Sequence, residues 1–152
     1  MKFIQGDLIA LARQNQFDVI VHGCNCFCAM GAGIAKTIRQ VFPEAYDADC
    51  ATQKGDKTKL GSCSHASCKI NGGQCVVINA YTQYHWAGRG VKVEYEAVRQ
   101  CMKWIKQNYA GKKIGLPKIG AGLAGGDWQT IESIISEELA GEDVTIVSLI
   151  AG

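Results

Sequence analysis

Two glycine-rich segments, and the polar residues beside them, hold the chemistry of this chain. His22-Gly-Cys-Asn-Cys-Phe-Cys-Ala-Met-Gly-Ala-Gly-Ile-Ala35 and Gly115-Leu-Pro-Lys-Ile-Gly-Ala-Gly-Leu-Ala-Gly-Gly-Asp-Trp128 each run into a helical pattern. Glycine admits positive φ and has no Cβ, so the main chain can turn tightly and approach a ligand closely. Successive N–H groups leading into a helix N-terminus form a concave anion site. Two such loops in one small domain suit a ligand with two phosphates, gripped from both sides. His22 ends a strand just before the first loop, and histidine can give or take a proton near neutral pH. Asp127 stands at the start of the helix after the second loop, where it can also act as a helix cap.

The eight cysteines open a different chemistry. Cys24-x-Cys26-x-Cys28 and Cys63-x-His65-x2-Cys68 gather soft ligands, but neither has the paired spacing of zinc ribbons or fingers. No metal and no cofactor are expected. The first three cysteines lie near a helix start, where thiol pKa values can be depressed; a metal or redox protein is therefore a third reading, after enzyme and binding module. No secretion signal is visible, and no apolar run approaches a membrane span of roughly 20 residues. The cysteines read as reduced, several as small buried apolar residues. The expected setting is cytoplasmic, without a membrane, and as a monomer. A net charge of +2 without a block of like charges argues against an electrostatic nucleic-acid binder.

The elements that must hold these residues follow from periodicity and turn chemistry. A single domain over residues 1–152 is expected. Lys2 to Gln5 reads as an edge strand, and Asp7 caps a helix from Leu8 to Gln14. Phe17 to His22 is a buried strand. Gly33 to Phe42 is an amphipathic helix stopped by Pro43, followed by a second helical piece, Ala45 to Ala51. Gln53 to Leu60 reads as an exposed loop. Asn71-Gly72-Gly73 joins two hairpin strands, Gly61 to Ile70 and Gln74 to Ala80. Tyr81 to Arg89 is an aromatic loop. Val91 to Asn108 is the longest helix, Lys113 to Leu116 a strand, Trp128 to Leu139 a helix and Val144 to Ile150 the last strand. Strands alternate with helices apart from one hairpin, which gives a three-layer α/β/α domain around a mixed, mostly parallel sheet. Ligands of such sheets bind outside the carboxyl ends of the strands, where both glycine loops begin.

Four motifs in order then resemble a macro domain over Lys2 to Ile150: Gly6-Asp7-Leu8, His22-Gly-Cys-Asn25, Met30-Gly-Ala-Gly-Ile-Ala35 and Pro117-Lys-Ile-Gly-Ala-Gly-Leu-Ala-Gly-Gly-Asp-Trp128. Within that family the chain is most similar to small stand-alone ADP-ribose-1''-phosphate phosphatases of yeast, bacteria and phage. The terminal ADP-ribose protein glycohydrolase is a related branch. The resemblance implies that Asp7 accepts a hydrogen bond from the adenine amino group, with the Leu8 backbone nearby. It implies that Asn25 bonds the distal ribose. Gly31, Ala32, Gly33, Ile34 and Ala35 on one side, and Gly120, Ala121, Gly122, Leu123, Ala124 and Gly125 on the other, would cover the diphosphate. Tyr84 and Trp86 would line the pocket.

From this resemblance the expected reaction is metal-independent removal of the 1''-phosphate from ADP-ribose-1''-phosphate. Asp127 would orient or deprotonate the water, His22 would position the substrate or protonate the leaving oxygen, and loop N–H groups would stabilise the transferring group. The glycohydrolase branch uses a lysine in the loop after the central strand and an aspartate after Gly-Leu in the last loop. Here the first reads Tyr81-Thr-Gln-Tyr-His85, and Ala124 follows Gly122-Leu123. Hydrolysis of another ADP-ribosyl or O-acetyl-ADP-ribose linkage by other residues, with ADP-ribosylated protein or nucleic acid as partner, and a non-catalytic ADP-ribose reader remain the alternatives.

Overall fold

The computed structural model describes residues 1–87 and 90–149. Its strands are β1 (Lys2–Gln5), β2 (Val19–Cys24), β3 (Cys63–Ile70), β4 (Gly73–Tyr81), β5 (Lys113–Leu116) and β6 (Asp143–Ser148). Its α-helices are α1 (Leu8–Arg13), α2 (Gly33–Val41), α3 (Pro43–Cys50), α4 (Tyr95–Tyr109) and α5 (Trp128–Glu138). The sheet order is β1-β6-β5-β2-β4-β3. Every pairing is parallel except β3 with β4, which the Asn71-Gly72 turn folds into a hairpin with Ile70 opposite Gly73.

Period-two alternation divides the strands between two cores. Val19, Val21, Ile78 and Ala80 face α4 and α5, joining Val98, Met102, Ile105, Ile131 and Ile135. Ile20 and Val77 face α1, α2 and α3, joining Leu8, Ala12, Ile38, Phe42 and Ala45. The expected three layers and mixed sheet are present. Because β1, β6, β5, β2 and β4 all run the same way, their carboxyl ends share one edge of the sheet.

The differences in element bounds have local causes. The longest helix begins at Tyr95 rather than Val91, because Val93 forms a bridge with Gln83 and holds the preceding segment extended. Strand β2 begins at Val19 rather than Phe17 and runs on to Cys24, paired with β4 through its full length. Lys57–Lys59 forms a 3₁₀ turn in the expected exposed loop, and Lys59 is buried there. Its ammonium donates to the Cys26 carbonyl at 3.1 Å and lies 4.6 Å from the Tyr81 ring centroid. The last strand ends at Ser148; Ile150, like Gly88 and Arg89 of the aromatic loop, lies outside the described residues.

Candidate functional site

The carboxyl edge of the sheet is hollowed by two adjoining cavities. The larger, about 820 Å³, is lined by Gly23, Cys24, Asn25, Ala29 and residues 31–35 from β2 and the loop after it. From β4 and beyond come Thr82, Gln83, Trp86 and Lys92, and from the loop after β5 come residues 117–120 and 122–124. The smaller, about 450 Å³, is lined by Gly6, Asp7, Leu8, Ile9, Thr37 and residues 147–149. Gly33, Ile34, Pro117 and Lys118 line both. The two cavities therefore adjoin in one cleft, sharing the start of α2 and the first residues after β5.

Main-chain donors line the two glycine loops of the cleft. Helix α2 starts at Gly33, whose φ is +59°, and its N-cap, Ala32, has no side-chain oxygen to satisfy the first turn. Among the described residues the N–H groups of Ala32 to Ala35 donate to no backbone or side-chain acceptor, whereas Lys36 N–H reaches the Ala32 carbonyl at 3.4 Å. The facing loop folds back on itself: Gly126 N–H donates to the Gly120 carbonyl at 2.8 Å and Gly125 N–H to Gly122 at 3.0 Å. That leaves the N–H groups of Gly122, Leu123 and Ala124 without a partner among the described residues. Gly120 has φ +75°, and a Cβ there would lie 2.7 Å from Val93 Cγ2, so only glycine permits this turn. Ala121 and Gly125 belong to the loop but do not line the cleft.

The two ends differ. Asp7 Oδ1 caps α1, accepting from Ile9 N–H at 3.0 Å and Ala10 N–H at 3.1 Å, while Oδ2 takes no hydrogen bond among the described residues. The cap therefore occupies one oxygen of Asp7 and leaves the other without a partner among the described residues. At the other end Asn25 is only 8% exposed. Its Oδ1 accepts from Phe27 N–H at 2.9 Å and its amide donates to the Ala29 carbonyl at 2.8 Å. These bonds fix the turn and leave one amide proton.

Three expected residues lie elsewhere. His22 is fully buried and absent from the cleft lining. It is the neighbour of Asn79 across the β2–β4 register, on the face that packs against α3, and its Nε2 lies 2.6 Å from Asn79 Oδ1. Burial lowers its pKa to about 4, so the ring is neutral at pH 7. The ring therefore carries no extra proton at pH 7, and its one N–H is given to Asn79 away from the cleft. Asp127 is the N-cap of α5, with Oδ2 accepting from Thr130 N–H at 3.1 Å and Thr130 Oγ1 at 2.6 Å. Those bonds hold its carboxyl below the usual range, and it does not line the cleft. Tyr84 points its hydroxyl to the Gly55 carbonyl at 2.8 Å and packs edge-on against Phe27 at 4.8 Å.

Burial also overrides the expected thiol activation: it pushes the Cys24 thiol well above its usual value and Cys26 up to about 11. Among the described residues no cluster of three or more His, Cys, Asp or Glu side chains could hold a metal, and no helix is long and apolar enough to cross a membrane.

Sequence reasoning missed Thr82, Gln83, Lys92 and Lys118. Lys118 lies within the quoted fourth motif, and Thr82 and Gln83 follow the central strand directly, so their positions were visible. Lys92 is masked by a helical pattern that starts too early. The ionisable side chains of the cleft, among the described residues, are Asp7, Cys24, Lys92 and Lys118.

The macro domain family profile matches residues 21–135 of the chain. A curated relative, an uncharacterized 17.5 kDa protein of Enterobacteria phage T4, is 36% identical over 97% of this chain and 95% of its own. A protein of unknown function from Bacteroides thetaiotaomicron has a similar structure, with a TM-score of 0.77 and 27% identity over 97% of each chain. Thermosipho africanus DarTG in complex with ADP-ribose shares the fold, with a TM-score of 0.73 and 19% identity over 99% of this chain and 42% of that one. This chain belongs to the macro domain family.

Proposed function

We propose that the cleft binds the ADP-ribose group, with adenine at Asp7 and Leu8, the diphosphate between residues 31–35 and 120–124, and the distal ribose beside Asn25. The observation that carries this reading is the continuity of the cleft. An Asp7 carboxylate oxygen lines the smaller cavity, and N–H groups of both loops without partners among the described residues line the larger one together with the Asn25 amide. Asp7 Oδ2 is an acceptor suited to an exocyclic amino group. Orphan N–H groups at the start of α2, aided by the helix dipole, suit phosphate oxygens. Membership of the macro domain family supports the reading, as does the fold shared with DarTG, which was captured with ADP-ribose.

The proposed activity is recognition. Removal of the 1''-phosphate through His22 and Asp127 forms no part of it, because His22 is buried against Asn79 and neither side chain lines the cleft. Calorimetric titration with ADP-ribose tests the reading. One-to-one binding is expected, and the inosine counterpart, which presents a carbonyl oxygen in place of the amino group, should bind about tenfold more weakly. Failure to bind, or equal binding of the two, would overturn it.

A further inference from the structure

Lys59 is a buried charge that the binding reading leaves without a task. It is only 7% exposed and lines neither cavity. Burying an ammonium is costly unless strong partners replace its water. Among the described residues it pairs with no carboxylate. Asp49, also buried, accepts from the Tyr81 hydroxyl instead. The ammonium donates to the Cys26 carbonyl at 3.1 Å and lies 4.6 Å from the centre of the Tyr81 ring, with Cys28 Sγ 3.9 Å away. An apolar side chain of similar length would fill this space without a charge to bury, so packing alone does not call for lysine.

The carbonyl it holds belongs to the turn that carries Asn25. Asn25 Oδ1 accepts from Phe27 N–H, so Cys26 is the middle residue of an Asx turn. The side-chain bonds of Asn25 stay within residues 25–29 and fix the shape of that turn. Bonds from outside fix its place, and most of them converge on Cys26. Its N–H donates to the Tyr84 carbonyl at 2.9 Å, and its carbonyl accepts from Gly55 N–H at 2.7 Å as well as from Lys59. The Cys28 thiol adds a weaker bond to the Asp49 carbonyl at 3.3 Å. Lys59 itself stands on the 3₁₀ turn capped by Asp56, whose Oδ1 accepts from Thr58 N–H at 2.9 Å.

We infer that Lys59 is a positioning residue of the cleft: it fixes how the turn presents the Asn25 amide, and through it the affinity for ligands that carry a second ribose. The inference rests on the ADP-ribose reading above and names what holds its ribose end in place. A binding group must be kept within about 0.5 Å of its productive position. Without the ammonium the Cys26 carbonyl still has Gly55 N–H, so the turn survives but gains play. The groups assigned to adenine and diphosphate make no hydrogen bond to Lys59.

The test is calorimetric titration of the full chain with ADP-ribose and with ADP, which has the same adenine and diphosphate but no second ribose. The wild-type protein should bind ADP-ribose about tenfold more tightly than ADP. In Lys59→Met that ratio should fall to about one while ADP affinity stays within about twofold, because methionine fills the space of the lysine stem. Asn25→Ala should also bring the ratio to about one, and adding Lys59→Met to it should change nothing further. A ratio unmoved by Lys59→Met, a further change in the double variant, or equal loss of both ligands would overturn the role of Lys59. So would a wild-type protein that binds both ligands equally. Should Lys59→Met not fold, Lys59→Gln, whose amide falls short of the ammonium position, is read in the same way; failure of both to fold would make Lys59 a residue of the core and overturn its role. Absence of ADP-ribose binding by the wild-type protein would instead overturn the reading on which the inference rests, and the inference with it.

Discussion

The cleft and the layer beneath it, on the α3 side of the sheet, divide the polar residues in opposite ways. In the cleft most of the groups without a partner among the described residues are main-chain N–H donors of the two glycine loops, joined by Asp7 Oδ2 and Thr82 Oγ1. Beneath it, side chains satisfy one another. His22 bonds Asn79, Asn79 donates to Ser64 Oγ at 3.0 Å, Ser64 bonds the Tyr81 hydroxyl at 2.8 Å, and Tyr81 donates to Asp49 Oδ1 at 2.7 Å. The Tyr81 proton is committed to Asp49, so Ser64 must donate to Tyr81. With His22 donating from Nε2, every bond runs the same way and ends on a carboxylate. Asn79 also ties this line to the Ala45 carbonyl of α3 at 2.9 Å. One region keeps its donors open; the other closes every bond. The histidine that looks most reactive in the sequence belongs to the closed region, and the cleft is lined largely by glycine-loop backbone.

If that division is right, Gly120→Ala should do the greatest damage. It puts a Cβ against Val93 at a φ that only glycine tolerates. We expect about 3 kcal/mol of lost stability and loss of measurable ADP-ribose binding, read by urea unfolding and calorimetry. A mild effect would mean the loop does not hold its shape through this glycine.

His22 gives the next effect, and it belongs to the closed region. Between pH 6.5 and about 4 the unfolded chain takes up a proton that the buried ring refuses. Its contribution is therefore complete above about pH 6.5 and is lost as pH falls, by about 2 kcal/mol between pH 7 and 5. Burial raises the Asp49 carboxyl and works in the opposite sense. The difference between wild-type and His22→Gln unfolding curves isolates the histidine. Curves that stay parallel across this range would mean the ring is not sealed.

Asp7→Asn separates the two oxygens of one carboxylate. Asparagine keeps the cap but presents an amide donor where Oδ2 accepted. We expect about a tenfold loss of ADP-ribose affinity with unfolding shifted by less than about 0.5 kcal/mol. Equal losses in both would reduce Asp7 to a cap.

The smallest effect sharpens the boundary. Asp127→Ala should cost about 1 kcal/mol of stability through its lost cap and leave ADP-ribose affinity unchanged. A large fall in affinity at unchanged stability would return Asp127 to the site.

Much of the fold was legible because it rests on local signals. β-branched strand runs, Asp7 before α1, Pro43 after α2 and the Asn71-Gly72 turn each act within a few residues. Both glycine loops were legible as tight turns at the strand ends for the same reason. The roles of His22 and Asp127 were not. Whether a strand-end histidine faces a cavity or Asn79 depends on a partner 57 residues away and on register. Lys92 was hidden because residues 91–94 fit a helical period, yet bonds from Gln83, Thr82 and Ala124 hold them extended. Those are tertiary facts that periodicity does not carry.

The most direct measurement is a crystal structure of the chain with ADP-ribose. The adenine amino group should lie within hydrogen-bond distance of Asp7 Oδ2, with the diphosphate between the start of α2 and the Gly122 to Ala124 loop. A nucleotide bound with its adenine at the Asn25 end, or outside this cleft, would contradict the proposed function.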